Sequence, residues 1–270
     1  MRLGPMIAVG LIGAVLGAGA YAATTRGGGS SKQASVSSPV STASVANVKP
    51  ATATQISLGA TLTDYSSLYA AVRPSVVEID TSGVSGRRRP QQVQGQGSGV
   101  VIDAKGDILT NEHVITGAQS IQITFADGTQ ASATLVGSDT ANDLAIVKTD
   151  AGQGELHPAT FGDSGALVVG NAVIAVGNPF GLAGSLSAGV VSGLDRTLQG
   201  GGGQPDETGL LQTDAAINEG SSGGGLFNAS GQLVGITSAL ENPDASTFAG
   251  VGYAVPINIA KQLISRLIGG

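Results

Sequence analysis

Asn218-Glu219-Gly220-Ser221-Ser222-Gly223-Gly224-Gly225-Leu226-Phe227-Asn228-Ala229-Ser230-Gly231-Gln232-Leu233-Val234-Gly235-Ile236 reads as a glycine-framed serine loop running into two apolar segments around a turn. Asn228-Ala229-Ser230-Gly231 is turn chemistry, since Asn and Ser side chains bond the local backbone and Gly reaches left-handed conformations. Strand, turn and strand predict a hairpin. Outward from it, short apolar runs recur at Ser75–Ile79, Gly99–Ile102, Ile121–Phe125, Leu144–Val147, Ala172–Val176 and Val251–Val255. Turn signals such as Ala104-Lys105-Gly106-Asp107 and Ala126-Asp127-Gly128 punctuate them. Many short strands at this spacing predict an all-β sandwich or barrel. The sequence also predicts one helix, at the end. Pro256 suits its first turn, Ile259, Leu263, Ile264 and Leu267 share a face, and Gly269-Gly270 stop it.

Composition removes several chemistries. The 270 residues contain no cysteine and two histidines, so disulfides, thiolate nucleophiles, zinc–cysteine sites and multi-histidine metal centres are excluded. No metal or organic cofactor is expected. The net charge is −6 and the one compact basic run is Arg87-Arg88-Arg89, which disfavours nucleic acid as a partner. Many glycines and few aromatics predict many turns around a Val, Ile, Leu and Ala core.

The chain divides into four segments on the same reading. Residues 1–25 contain an uncharged, mostly apolar stretch, Leu3 to Thr25, flanked by arginines. About 20 such residues span a bilayer, whereas the core of a signal peptide is about 7–15 long. A retained membrane anchor is the first expectation, with the rest outside the cytoplasm. Cleavage is the second, because Ala18-Gly19-Ala20 and Ala20-Tyr21-Ala22 resemble signal-peptidase sites, and it would leave a secreted or periplasmic protein. Residues 26–60, rich in Ser, Thr, Ala and Gly, are expected to be a disordered linker. Residues 61–160 and 161–270 are expected to form two halves of one folded region.

The serine loop carries the chemistry. A serine hydroxyl needs a base to become a nucleophile, and its attack creates an oxyanion that needs donors. The glycines let N–H groups converge, so the oxyanion donors are sought among Gly220, Ser221 and Ser222, with the Gly220 and Ser222 amides foremost. Gly220-Ser221-Ser222-Gly223-Gly224 also fits the G-x-S-x-G elbow of α/β-hydrolases. That elbow leads into a helix and precedes its histidine, and both conditions fail here. The base is His113 or His157. His113 follows a predicted strand, whereas His157 lies before Pro158 in a polar connection and reads as a solvated residue. Asp143, opening Leu144-Ala145-Ile146-Val147, is the expected orienting carboxylate. Asp139 reads as turn chemistry and Asp214 as a structural hydrogen-bonder.

The order His113, Asp143, Ser222, set in the following motifs, resembles the HtrA/Deg family of serine proteases. These are Thr110-Asn111-Glu112-His113-Val114-Ile115, Asp143-Leu144-Ala145-Ile146-Val147-Lys148, Gly177-Asn178-Pro179-Phe180-Gly181-Leu182 and Gln212-Thr213-Asp214-Ala215-Ala216-Ile217-Asn218. Gly97-Ser98-Gly99-Val100 and Gly252-Tyr253-Ala254-Val255-Pro256 fit the same pattern, from Tyr65 to Leu267. The resemblance implies two six-stranded Greek-key antiparallel barrels, chymotrypsin-like, with the site between them. It also implies ATP-independent cleavage of unfolded or damaged proteins in the cell envelope, and frequent homotrimers. Three departures stand out. Glu219, Ser221 and Gly225 replace Pro, Asn and Pro around the nucleophile; Glu112 replaces a common Asn; and no peptide-binding PDZ domain occurs up to Gly270. The primary pocket is expected from Ala216 and Ile217, about six residues before the nucleophile, with a wall of Gly235, Ile236, Thr237 and Ser238. An acid-free floor favours small aliphatic side chains at the cleaved position.

Overall fold

The computed structural model describes residues 64–85, 91–150, 156–178, 184–199, 206–238 and 249–268. The expected anchor and linker, the Arg87–Arg89 run, Gly201–Gly203 and the expected stop at Gly269-Gly270 lie outside them. Among the described residues no helix is long and apolar enough to cross a membrane.

Six strands, β1 (Val76–Ser85), β2 (Gln91–Val101), β3 (Asp107–Thr110), β4 (Ser120–Thr124), β5 (Gln130–Asp139) and β6 (Leu144–Thr149), close into one barrel in the order β1-β2-β3-β6-β5-β4. A second barrel repeats the topology. Its strands are β7 (Ala172–Gly177), β8 (Ser185–Leu198), β9 (Glu207–Thr213), β10 (Gly225–Asn228), β11 (Leu233–Ser238) and β12 (Gly252–Pro256), ordered β7-β8-β9-β12-β11-β10. All pairings are antiparallel, so the fold is a pair of six-stranded Greek-key barrels. The expected division at 160/161 lies in the connection between β6 and β7.

Period-two side-chain alternation explains why these strands read as continuous apolar runs. Ala145 and Val147 point into the first barrel with Val77, Ile79, Ile108 and Ile123. Leu144 and Ile146 point out, into a layer shared with Ile174, Val176, Phe227, Ile236 and Val255 of the second barrel. Both faces of β6 are therefore buried, one as barrel interior and one as the seam between barrels. The second interior holds Val173, Ala175, Leu226, Val234 and Ala254.

Helix α3 (Ile257–Ile268) buries Ile257, Ala260 and Leu263 against that seam, with Ile259, Ile264 and Leu267 partly buried beside them. Pro256 does not start the helix. It ends β12 opposite Gly235, so the helix begins one residue later than expected. The sequence reading also missed α1 (Tyr65–Val72), capped by Asp64, whose carboxylate accepts from the Ser66 and Ser67 amides. It missed α2 (Glu112–Ile115) as well, a single turn between β3 and β4.

Candidate active site

The base of the site is built on α2 and on the entrance to β6. β3 delivers the buried Asn111, and one turn of helix then presents His113. Asp143 opens β6 in the left-handed region, at φ 47°, where a non-glycine residue costs about 1–2 kcal/mol. Four contacts hold it there. The Asn111 side-chain amide donates to the Asp143 carbonyl at 2.7 Å, and the His113 backbone N–H donates to Asp143 Oδ1 at 2.9 Å. His113 Nδ1 meets Asp143 Oδ2 at 2.7 Å. The Ser238 hydroxyl reaches the same oxygen at 3.4 Å from the second barrel. With Nδ1–H donated to the carboxylate, Nε2 carries the imidazole's basic lone pair.

The serine loop is fixed plane by plane. In the Gly220–Ser221 peptide, the carbonyl accepts from the Ser98 hydroxyl at 2.8 Å and the opposed N–H donates to the Asn218 carbonyl at 2.9 Å. In the Ser221–Ser222 peptide, the carbonyl accepts from the Thr237 hydroxyl at 2.6 Å and from the Gly224 N–H at 3.0 Å. A trans peptide points its N–H away from its carbonyl, so the Ser222 amide faces the other side of the loop. In the Ser222–Gly223 peptide, the carbonyl accepts from the Ser98 N–H at 2.7 Å and the N–H donates to the Thr237 carbonyl at 2.9 Å. Gly220 and Gly223 sit at φ 86° and 84°. At Gly223 a Cβ would stand 2.0 Å from the Ser98 carbonyl oxygen, so this turn requires glycine.

Ser222 is 5% exposed and lies at the seam. A Cβ on Gly97 would stand 2.6 Å from Val114, the neighbour of His113, and 3.2 Å from the Ser222 carbonyl oxygen. Gly97 is thus wedged between the histidine turn and the serine loop. His157 is elsewhere, exposed beside Pro158 and lining a cavity of about 320 Å³ with Val72, Pro74 and Phe227. Asp214 accepts from the Val190 N–H at 2.7 Å, and Asp139 binds Asn142 and Arg266.

Two sequence expectations need correction. The Ser221 N–H donates to the Asn218 carbonyl, so it is not an oxyanion donor; Gly220 and Ser222 remain for that part. A cavity of about 170 Å³ beside the loop is lined by Ala216 and Thr237, but also by Gly177, Ser185, Ser187 and Ser221. Ile217 and Ile236 turn into the apolar core, Gly235 packs against Val255 and Ala254, and Ser238 binds Asp143. Alternation along β11 turns Ile236 and Ser238 away from the face of Thr237, and of the four only Thr237 lines the cavity.

Glu207 at the start of β9 was missed. Its Oε2 is buried and has no hydrogen-bond partner among the described residues. Burial, then the charge of Asp143, pushes its pKa to about 7, against the pull of His113. Burial of the His113 ring works against its charged form. The bond and charge of Asp143 outweigh this, Glu207 and Glu112 add to them, and the His113 pKa is raised. No local sequence signal marks Glu207, because it follows a glycine run and is brought to the site by the β8–β9 hairpin.

Double six-stranded barrels meeting over a histidine–aspartate pair and a serine loop are the architecture of the chymotrypsin-like serine proteases. Comparison with known proteins narrows this class. A family model described as a trypsin-like peptidase domain matches residues 97–236, just over half of the chain. The chain is 43% identical over 176 residues to the chloroplastic protease Do-like 1 of Arabidopsis thaliana, covering 65% of this chain and 40% of that one. It is 40% identical over 187 residues to the periplasmic serine endoprotease DegP of Escherichia coli, covering 69% and 38%. A solved HtrA-type protease, AlgW with a decapeptide, superposes with a TM-score of 0.66 at 31% identity, covering 76% of this chain and 67% of that one. The chain belongs to the HtrA/Deg family of trypsin-like serine proteases. It spans between 36% and 64% of the length of the first curated relatives it matches.

Proposed function

We propose that the protein is a serine endopeptidase in which His113 Nε2 takes the Ser222 Oγ proton as that oxygen attacks a peptide carbonyl. Asp143 holds the imidazole tautomer and stabilises its cation, and the Gly220 and Ser222 amides receive the oxyanion. The imidazolium then protonates the leaving amine, and water, activated by the same histidine, hydrolyses the acyl-enzyme. The observation that carries this reading is the 2.7 Å pair of His113 Nδ1 and Asp143 Oδ2.

The substrates are unfolded or damaged polypeptides in the cell envelope, cleaved without ATP. The periplasmic naming of relatives such as DegP supports the location. The protein is held at the membrane by residues 1–25, or released to the periplasm if they are cleaved, and homotrimers are the assembly the resemblance implies. The folded halves are 61–160 and 161–270, following a 26–60 linker. The test is hydrolysis of casein by the full chain with no ATP added. Fragments appearing over time support the reading. Casein bound but left intact would replace it with a protein that holds unfolded chains without cutting them.

Cleavage follows small aliphatic residues. Among the described residues the cavity beside the loop is lined by Ala216, Thr237, Gly177, Leu186, Asn218 and serines, none of them charged. A peptide library should therefore show Ala or Val before the scissile bond; a preference for Lys or Arg would contradict this pocket.

The pH profile gives another expectation. An anionic Glu207 favours protonated His113, so Glu207→Gln lowers the histidine pKa. The base form then persists to lower pH, and the acidic limb of kcat/KM moves down in pH. The measurement is kcat/KM against pH for both proteins; an unmoved limb would contradict the coupling.

A further inference from the structure

Gly97-Ser98-Gly99 and Gly177-Asn178 are motifs to which the proton-transfer chemistry gives no part. Gly97 and Gly99 face the packed interior, where a Cβ on Gly99 would meet Ile108 at 2.7 Å and Ile79 at 2.9 Å. Alternation then turns Ser98 the other way, toward the second barrel, and it is 0% exposed. Every polar group of Ser98 is committed, with three of its four bonds going to second-barrel residues. Its hydroxyl accepts from the Asn178 N–H at 2.9 Å and donates to the Gly220 carbonyl at 2.8 Å. Its N–H donates to the Ser222 carbonyl at 2.7 Å, and its carbonyl accepts from the Thr110 hydroxyl at 2.7 Å.

We propose that Ser98 is a positioning residue for the oxyanion site, holding the two peptide planes that flank the one carrying the Ser222 amide. This rests on the reading of that loop as the oxyanion loop. The Gly220 carbonyl has the Ser98 hydroxyl on one side of its plane, while the Ser221 N–H is taken by Asn218 on the other. Gly220 at φ 86° has no side chain to resist rotation, so this anchor stands in for the missing steric restraint. Glu219 and Gly225 frame the loop with no proline between them to stiffen it, which leaves the restraint to hydrogen bonds.

The hydroxyl is itself held in a framework. The Asn178 side-chain carbonyl accepts from the Gly184 N–H at 2.6 Å, and the Gly184 carbonyl accepts from the Tyr69 hydroxyl of α1. A continuous line therefore runs from the N-terminal helix through the second barrel and Ser98 to Gly220. Ser98 touches no reacting atom, and it acts through the Ser222 amide, whose peptide lies between the two it holds.

The experiment compares full-chain wild type, Ser98→Ala and Ser98→Cys on one peptide substrate, with kcat expressed per folded molecule by thermal melting. Losing an oxyanion donor costs about 100–1,000-fold, and misaiming rather than deleting one should lower kcat by about 10–100-fold in Ser98→Ala with KM little changed. The thiol is a weaker donor of similar shape, so Ser98→Cys should fall between, and it carries the test if the alanine variant does not fold. Wild-type kcat in either folded variant, or a change confined to KM, would overturn the proposal. The outcomes separate it from the reading beneath it, because an inactive wild type defeats the protease assignment itself.

Discussion

Ser222→Ala should lower turnover by about a million-fold while the protein melts at nearly the wild-type temperature. Removing a triad serine costs about that much, because the acyl-enzyme route is lost and only binding and oxyanion stabilisation remain. The fold should tolerate the change. The backbone carbonyl of residue 222, bonded to the Ser98 N–H, ties it to the first barrel, and the variant keeps this bond. The loop planes are held by Ser98 and Thr237, neither of which the substitution alters. The measurement is casein and peptide hydrolysis beside a thermal melt. Residual activity within about a hundredfold of wild type would move the nucleophile elsewhere.

Asp143→Asn should lower kcat by about ten-thousand-fold. The carboxylate accepts from His113 at both oxygens, from the ring at Oδ2 and from the backbone at Oδ1. An amide in its place puts an NH₂ group against one of these donors. The imidazole then turns its acceptor nitrogen toward the amide and its proton toward the serine, the wrong tautomer for a base. A structural explanation is weak at this position. The residue sits at φ 47°, a region asparagine visits more readily than most residues, so the variant should keep its melting temperature. Loss of stability in proportion to loss of activity would mean that Asp143 holds the fold instead.

How much was legible in the sequence follows from where side chains point. Runs such as Leu144–Val147 and Ala172–Val176 were readable because they are buried on both faces, one in a barrel and one at the seam. β5 (Gln130–Asp139) and β8 (Ser185–Leu198) were not, since they carry small polar residues, are partly exposed, and contain register shifts that break the alternation. Helix α2 is too short for any periodicity, yet it carries His113. Local order was enough to propose His113, Asp143 and Ser222 together. It could not tell the direction of each β11 residue, which is why a wall of four reduced to Thr237. Nor could it find Glu207 or the Ser98 tether, because both are contacts between distant segments.

Covalent capture with a serine-directed phosphonate, followed by peptide mapping, reads out the nucleophile itself. Such a reagent needs an activated hydroxyl and a formed oxyanion site at once. One adduct per chain is expected, on the peptide holding Ser222, and none in Asp143→Asn over the same time. A folded wild-type chain that takes no adduct, or takes it on another serine, would contradict the assignment of Ser222 as the nucleophile.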